Sequence, residues 1–217
     1  MSMNDLSGKQ EFKLPDYSAA GFAERARGFL PENEVLSGDH VLNPDIASVI
    51  SGVKLRDAAV LVPVVERGNS TNVILTLRNS ALRKHSGQIA FPGGTVDRED
   101  ASITAAALRE ADEEIGLKPH FAETLTQMPR YLSGSGFSIT PVLAIIDPDA
   151  PLQANPDEVA DIFEVPLAFL MNPANHNKES RMMNGRERFY YTMPYQKRFI
   201  WGITAGIIRG IYERLYR

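Results

Sequence analysis

The chain has 217 residues, of which 43% are hydrophobic and 23% are charged, and it contains no cysteine. This composition is typical of a globular protein that buries its own core, and the lack of cysteine excludes disulfides, thiolate metal sites and cysteine nucleophiles. A formal net charge of −4 provides no positive field for a polyanion, so we expect no nucleic-acid surface. The polar N-terminus and the lack of a long apolar run predict neither a signal peptide nor a membrane span, which indicates a cytoplasmic protein.

The first 56 residues are predicted to form a partly helical extension. Apolar residues recur at helical spacing from Phe22 to Phe29, and PDIASVIS is expected to form a second short helix. The second domain, residues 57–217, is predicted to begin with a hairpin of two β-branched strands. Pro63 lies in the first of these strands and predicts an edge position or a bulge, because proline cannot donate a ladder hydrogen bond.

A helix over residues 101–115 is predicted to interrupt the strands, with Asp100 as its N-cap and Gly116 as its terminating residue. More strands follow, then a hairpin turning at Asn184-Gly185, and an amphipathic helix ends the chain. Strands interrupted by one helix and closed by another predict an α/β fold with a mixed sheet between helices. Trp201 and the isoleucine-rich last helix are expected in the core or at a homodimer interface.

The central helix carries an unusual concentration of acids near its C-terminal end, where carboxylates oppose the helix dipole. At about 100° per residue, Glu110, Glu113 and Glu114 share one edge of the helix, whereas Asp112 points elsewhere. Three close carboxylates repel one another unless a cation lies among them, and Mg²⁺ or Mn²⁺ prefers such oxygen ligands. A solvated acidic face is the alternative. The predicted buried face, which adjoins this edge, comprises Thr104, Ala107, Leu108, Ala111 and Ile115.

The glycine pair Gly93-Gly94 lies upstream of the acidic helix. Glycine lets the main chain approach closely, so a carbonyl here can serve as a further metal ligand, although a plain turn is the alternative. Arg109, directly before Glu110, is expected to pair with Asp100 or to orient a carboxylate.

The segment GGTVDREDASITAAALREADEEIGL resembles the Nudix box, G-x5-E-x7-R-E-U-x-E-E-x-G-U, where U is aliphatic. Asp100 replaces the first glutamate, and the spacer before Arg109 has eight residues; both departures are shared with the coenzyme A pyrophosphatase subgroup. Upstream, ILTLRNSALRKHSGQIAFPGG resembles that subgroup's second signature, L-L-T-x-R-S-x3-R-x3-G-Q-x-x-F-P-G-G, except that Ile74 replaces the first leucine and Asn79 separates the arginine from the serine. The positions matching the box are Gly94, Arg109, Glu110, Ala111, Glu113, Glu114, Gly116 and Leu117.

The resemblance covers roughly residues 57–217 and implies a Nudix α/β/α sandwich with a mixed β-sheet, preceded by a short helical extension. It implies metal-dependent hydrolysis of coenzyme A, or a derivative, to 3′,5′-ADP and 4′-phosphopantetheine or its acylated form. The implied ligands of Mg²⁺ or Mn²⁺ are the carbonyl of Gly94 and the carboxylates of Glu110, Glu113 and Glu114.

Two further roles follow from the resemblance. The general base is a glutamate of the box or Glu158 on a later loop, and Arg109 belongs to the catalytic group. Substrate phosphates are assigned to a cationic segment, for which a solvated loop is the alternative. Its residues are Arg78, Arg83, Lys84 and His85, followed by Gly87 and Gln88. Two other functions stay open: a Nudix hydrolase of NADH or ADP-ribose, and a non-catalytic nucleotide sensor.

Overall fold

The computed structural model describes residues 15–30, 37–47, 52–81, 86–183 and 185–217. Among these residues, no helix is long and apolar enough to cross a membrane. The helices are α1 (Ala19–Gly28), α2 (Asp39–Leu42), α3 (Ile103–Ile115), α4 (Leu167–Leu170) and α5 (Gly202–Leu215). The strands are β1 (Ser37–Gly38), β2 (Arg56–Arg67), β3 (Ser70–Arg78), β4 (Ile89–Ala90), β5 (Gly93–Thr95), β6 (Ala122–Gln127), β7 (Tyr131–Leu132), β8 (Phe137–Ile146), β9 (Val159–Pro166), β10 (Asn177–Met183), β11 (Arg186–Tyr195) and β12 (Arg198–Trp201).

The described strands form two sheets. The larger sheet has nine strands with the path β1-β7-β8-β2-β3-β4, to which β5, β6 and β9 are added beside β2, β8 and β3. It is mixed, because β2 runs parallel to β8 and antiparallel to β3. The smaller sheet consists of β10, β11 and β12, all antiparallel.

The larger sheet has a hydrophobic core on each face, as strict alternation along β2 requires. Leu61 and Val65 belong to the core beneath α3, whereas Val62 and Val64 belong to the core that contains α1 and α5. The sheet therefore lies between helices, which confirms the predicted α/β/α arrangement. The last helix is a core element, and its buried residues include Ile207, Ile208, Ile211 and Leu215.

The prediction that Pro63 marks an edge strand or a bulge was wrong. Strand β2 lies inside the sheet, and Pro63 is in register with Ala144 of β8. On the other side, β2 pairs with β5 as far as Val60 and with β3 only from Val64. The main-chain N–H of Leu61 points to this side, toward Pro92, so the nitrogen of Pro63 faces the interval between the two partners. Proline is tolerated because no ladder hydrogen bond is required there.

Most predicted elements are present. Helix α1 and the β2–β3 and β10–β11 hairpins were expected, although Asn184 lies outside the described residues. Of the predicted second short helix, residues 46 and 47 are helical, and residues 48–51 lie outside the described ranges.

Candidate active site

Helix α3 begins at a side-chain cap and ends at a left-handed glycine. The hydroxyl of Ser102 accepts the N–H of Ala105 at 3.0 Å, so Ser102 is the N-cap, and the prediction of Asp100 was wrong. Asp100 instead accepts the N–H of Asp97 and pairs with Arg109. At the other end, Gly116 adopts φ 66°, a left-handed conformation that favours glycine, as predicted.

The acidic edge of α3 runs from the core to solvent rather than beside the core. Only 2% of the Glu114 side chain is exposed, compared with 14% for Glu110 and 54% for Glu113. The buried face also includes Ala106 and is rotated toward the acids, while Thr104 and Leu108 are only half-buried. The predicted helical wheel therefore wrongly placed Glu114 outside the buried face of α3. Asp112 forms an ion pair with Lys118.

Arg109 links the start of α3 to the acidic edge. Its Nε and Nη2 donate to the two carboxylate oxygens of Asp100 at 2.9 and 3.0 Å, and Nη2 also donates to the carbonyl of Thr95. Its Nη1 donates to Glu110 at 2.9 Å and to Glu113 at 3.4 Å. Arg109 thus pairs with Asp100 and orients a carboxylate, and this guanidinium holds the pKa of Asp100 below its usual range.

Glu114 is held between two strands of the large sheet. One oxygen accepts Nη1 of Arg78, the last residue of β3, at 3.0 Å, and the other accepts the N–H of Gly93 in β5 at 3.2 Å. Burial raises the pKa of Glu114 to about 7, although the charge of Arg78 and the Gly93 hydrogen bond oppose the rise. The negative charges of Glu158 and Glu110 raise this pKa further.

Glu110 lies against the glycine pair. A Cβ atom at Gly94 would lie 2.5 Å from the carboxyl carbon of Glu110, so any other residue at this position would displace the carboxyl group. Burial raises the pKa of Glu110, the adjacent Arg109 lowers it, and the charges of Glu113 and Glu158 raise it again. The charge of Glu158 therefore raises the pKa of both Glu110 and Glu114.

The loop that carries Glu158 is fixed by two asparagines that sequence reasoning missed. The main-chain N–H of Asn79 donates to the carbonyl of Glu158 at 2.8 Å, and the Asn79 side chain donates to the carbonyl of Pro156. The N–H of Asn155 donates to the carbonyl of Glu114 at 2.9 Å, and its own carbonyl accepts the N–H of Glu158. The available signal was the Asn155-Pro156 dipeptide, which is typical of turns.

Only part of the cationic segment falls within the described residues. Arg78 and Gln88 are joined by a main-chain hydrogen bond of 2.9 Å, and the N–H of Gly87 donates to the carbonyl of Arg78 at 3.2 Å. These bonds close the base of the loop beside Glu114. Arg83, Lys84 and His85 lie outside the described residues, so their assignment to substrate phosphates stays a prediction.

The donor chemistry of the site suits a hard divalent cation. Among the described residues, no three acidic or histidine side chains are grouped closely enough to hold a metal, and Arg109 and Arg78 form ion pairs with the carboxylates of α3. Burial is the main cause of the raised pKa values of Glu110 and Glu114, and the charges of neighbouring carboxylates, including Glu158, add to the rise. A cation bound among them would relieve the repulsion between these charges.

Comparisons with known proteins agree with this arrangement. A model of the NUDIX domain matches residues 55–184. A Cronobacter sakazakii protein described as an uncharacterized Nudix hydrolase NudL is 45% identical over 176 residues, which cover 81% of this chain and 90% of that protein. A Shigella boydii protein with the same description is 42% identical over 179 residues, which cover 82% and 92%. The NUDIX domain of Shewanella oneidensis NrtR, solved with ADP ribose, has a similar fold: its TM-score is 0.51 at 20% identity, covering 76% of this chain and 92% of that one.

Proposed function

The chain belongs to the Nudix hydrolase family, and from this premise we propose that it hydrolyses the diphosphate bond of coenzyme A or a derivative. The products would be 3′,5′-ADP and 4′-phosphopantetheine, or its acylated form. One observation carries the proposal: the buried Glu114 meets Arg78 at the base of the cationic segment. The acidic helix and the segment assigned to substrate phosphates are therefore in direct contact.

The proposed cation site comprises the carbonyl of Gly94 and the carboxylates of Glu110, Glu113 and Glu114. Mg²⁺ or Mn²⁺ bound there would neutralise charge on the diphosphate and lower the pKa of an attacking water molecule. Glu110 and Glu114 support this proposal best, because burial raises the pKa of each carboxyl group and the charges of neighbouring carboxylates add to the rise.

The remaining roles fall to residues around α3. We assign the general base to Glu158, since its charge acts on both Glu110 and Glu114 and its loop is fixed by hydrogen bonds with Asn79 and Asn155. Arg109 would keep Glu110 oriented through its contacts with Asp100 and Thr95. A carboxylate base would accept a proton from the attacking water.

Substrate choice is assigned to the cationic segment. Coenzyme A carries a 3′-phosphate in addition to its diphosphate, and guanidinium groups suit phosphate oxygens. Arg83, Lys84 and His85 are proposed to contact these phosphates, with Gly87 and Gln88 at the base of the segment. Arg78 already pairs with Glu114 at 3.0 Å, so we propose that it also orients this carboxylate. The boundary between an N-terminal extension, residues 1–56, and the hydrolase domain, residues 57–217, is part of the same proposal.

The test is incubation of the purified chain with coenzyme A and Mg²⁺ or Mn²⁺, followed by chromatography. We expect 3′,5′-ADP and 4′-phosphopantetheine from the native protein and almost none from Glu114→Gln. Parallel incubations contain NADH and ADP-ribose. Turnover of those compounds without turnover of coenzyme A would support diphosphate hydrolysis but rule out coenzyme A as the substrate. Nucleotide binding without turnover of any diphosphate would indicate a sensor.

A further inference from the structure

The smaller sheet has an open edge at β10, whereas part of its central strand β11 is covered on the opposite side. Beyond the end of β12, the side chain of Asn43 donates to the carbonyl of Phe189 at 2.9 Å and accepts its N–H at 2.8 Å, which covers the open edge of β11. On the opposite side, all seven residues of β10 are exposed, and no described strand lies beyond it. The exposed fraction of Met182 reaches 68%. A long exposed edge strand is a template for pairing with another strand.

The direction of the main-chain groups of β10 follows from its partner. Ser180 lies opposite Phe189, whose N–H and carbonyl both point away from β10 toward Asn43. Opposed residues of an antiparallel pair either exchange both hydrogen bonds or direct them away from each other. The N–H and carbonyl of Ser180 therefore point outward, and by alternation those of Lys178 and Met182 do so as well.

We propose that β10 pairs antiparallel with β10 of a second copy of this chain, about a two-fold axis at Ser180. In this register Ser180 exchanges both hydrogen bonds with its counterpart, and all seven residues of the strand take part. Glu179 of each copy then faces Arg181 of the other, twice by symmetry. Centring the pair on Glu179 or Arg181 would place like charges opposite each other, and their main-chain groups point inward to β11.

In the single chain both charged side chains contact the other strands of the sheet, Arg181 over Trp201 of β12 and Glu179 with Thr192 of β11, so each turns outward to meet its counterpart in the dimer. The guanidinium of Arg181 lies 4.6 Å from the centre of the Trp201 ring, and Glu179 accepts a hydrogen bond from Thr192 at 2.8 Å. Both side chains lie on the same face of the smaller sheet, because they alternate with Ser180. The pairing would also place Met182 against the aliphatic stem of Lys178 from the second copy. The occupant that fits this self-complementary edge is therefore the chain itself.

Charge reversal of the full-length chain tests the register. By light scattering after size exclusion, the native protein is expected to have the mass of two chains. Arg181→Glu would place two carboxylates opposite each other at both contacts and weaken the dimer about tenfold or more. The double variant Glu179→Arg with Arg181→Glu restores opposite charges and is expected to restore the dimer. A native monomer, a dimer insensitive to Arg181→Glu, or a double variant that stays monomeric would each overturn the proposal.

Cross-linking provides a second measurement that does not need a charge-reversed variant to fold. The native chain has no cysteine, so one introduced thiol is unique. Ser180→Cys is expected to give a covalent dimer with a short bismaleimide, because the two thiols meet at the axis. Ser70→Cys, at another exposed position, is the matched control, and this variant should not form a covalent dimer. Equal cross-linking at both positions, or none at position 180, would contradict the pairing. The second result is expected if residues 1–14 or another protein cover β10 instead.

Discussion

Replacing Glu114 by glutamine is expected to remove a pH-dependent loss of stability from the metal-free protein. Burial raises the pKa of this carboxyl group from 4.5 to about 7. Because the folded state binds the proton more tightly than the unfolded state, the contribution to stability is fully present below pH 4.5 and is lost as the pH rises through about 7. A shift from 4.5 to about 7 corresponds to about 3 kcal/mol.

The assay is urea unfolding with a chelator present, at about pH 4.5 and about pH 8.5. Between these two conditions, the unfolding free energy of the native protein should fall by about 3 kcal/mol more than that of Glu114→Gln. Glu113→Gln is the matched control, because this side chain is 54% exposed, and it should keep the native difference. Added Mg²⁺ should restore stability to the native protein at the higher pH and have little effect on Glu114→Gln. Equal pH dependence in the native protein and Glu114→Gln would refute the reasoning.

Three further substitutions test the surroundings of the site. Gly94→Ala should lower kcat at least about tenfold with the fold retained, because the new Cβ would meet the Glu110 carboxyl group at 2.5 Å; unchanged kinetics would contradict this contact. Glu158→Gln should lower kcat by about a hundredfold to ten-thousandfold in steady-state assays, and a smaller loss would exclude it as the base. Arg78→Met should lower the unfolding free energy by about 3 kcal/mol at about pH 8, because Glu114 loses its buried partner. An unfolding free energy of Arg78→Met equal to that of the native protein would show that the Arg78–Glu114 pair contributes nothing to stability.

The local elements of the fold were predictable from the sequence. Gly116 ends α3 because a left-handed residue is required there, and β10 and β11 pair as the hairpin that the Asn-Gly dipeptide predicts. Ser102 rather than Asp100 caps α3, since the carboxylate of Asp100 is engaged by Arg109. Both residues are good caps in isolation, and a contact nine positions along the chain decided between them.

The burial of the acidic residues depends on long-range contacts, which the helical periodicity of the sequence does not reveal. Helical spacing placed Glu114 beside the core, yet it is fully buried because β3 and β5 bring Arg78 and the N–H of Gly93 to its two oxygens. Asn155 could not be identified from the sequence for the same reason, because it contacts Glu114 through its main-chain N–H. Residue type carries little information about such contacts.

We propose that this chain cleaves coenzyme A and recognises its 3′-phosphate. The most direct measurement is kcat/KM for coenzyme A and for dephospho-coenzyme A, with the same protein and the same Mg²⁺ concentration. Because the cationic segment is assigned to the additional phosphate, we predict that kcat/KM for coenzyme A is higher by at least about tenfold. Equal values for the two substrates, or a preference for dephospho-coenzyme A, would contradict the account.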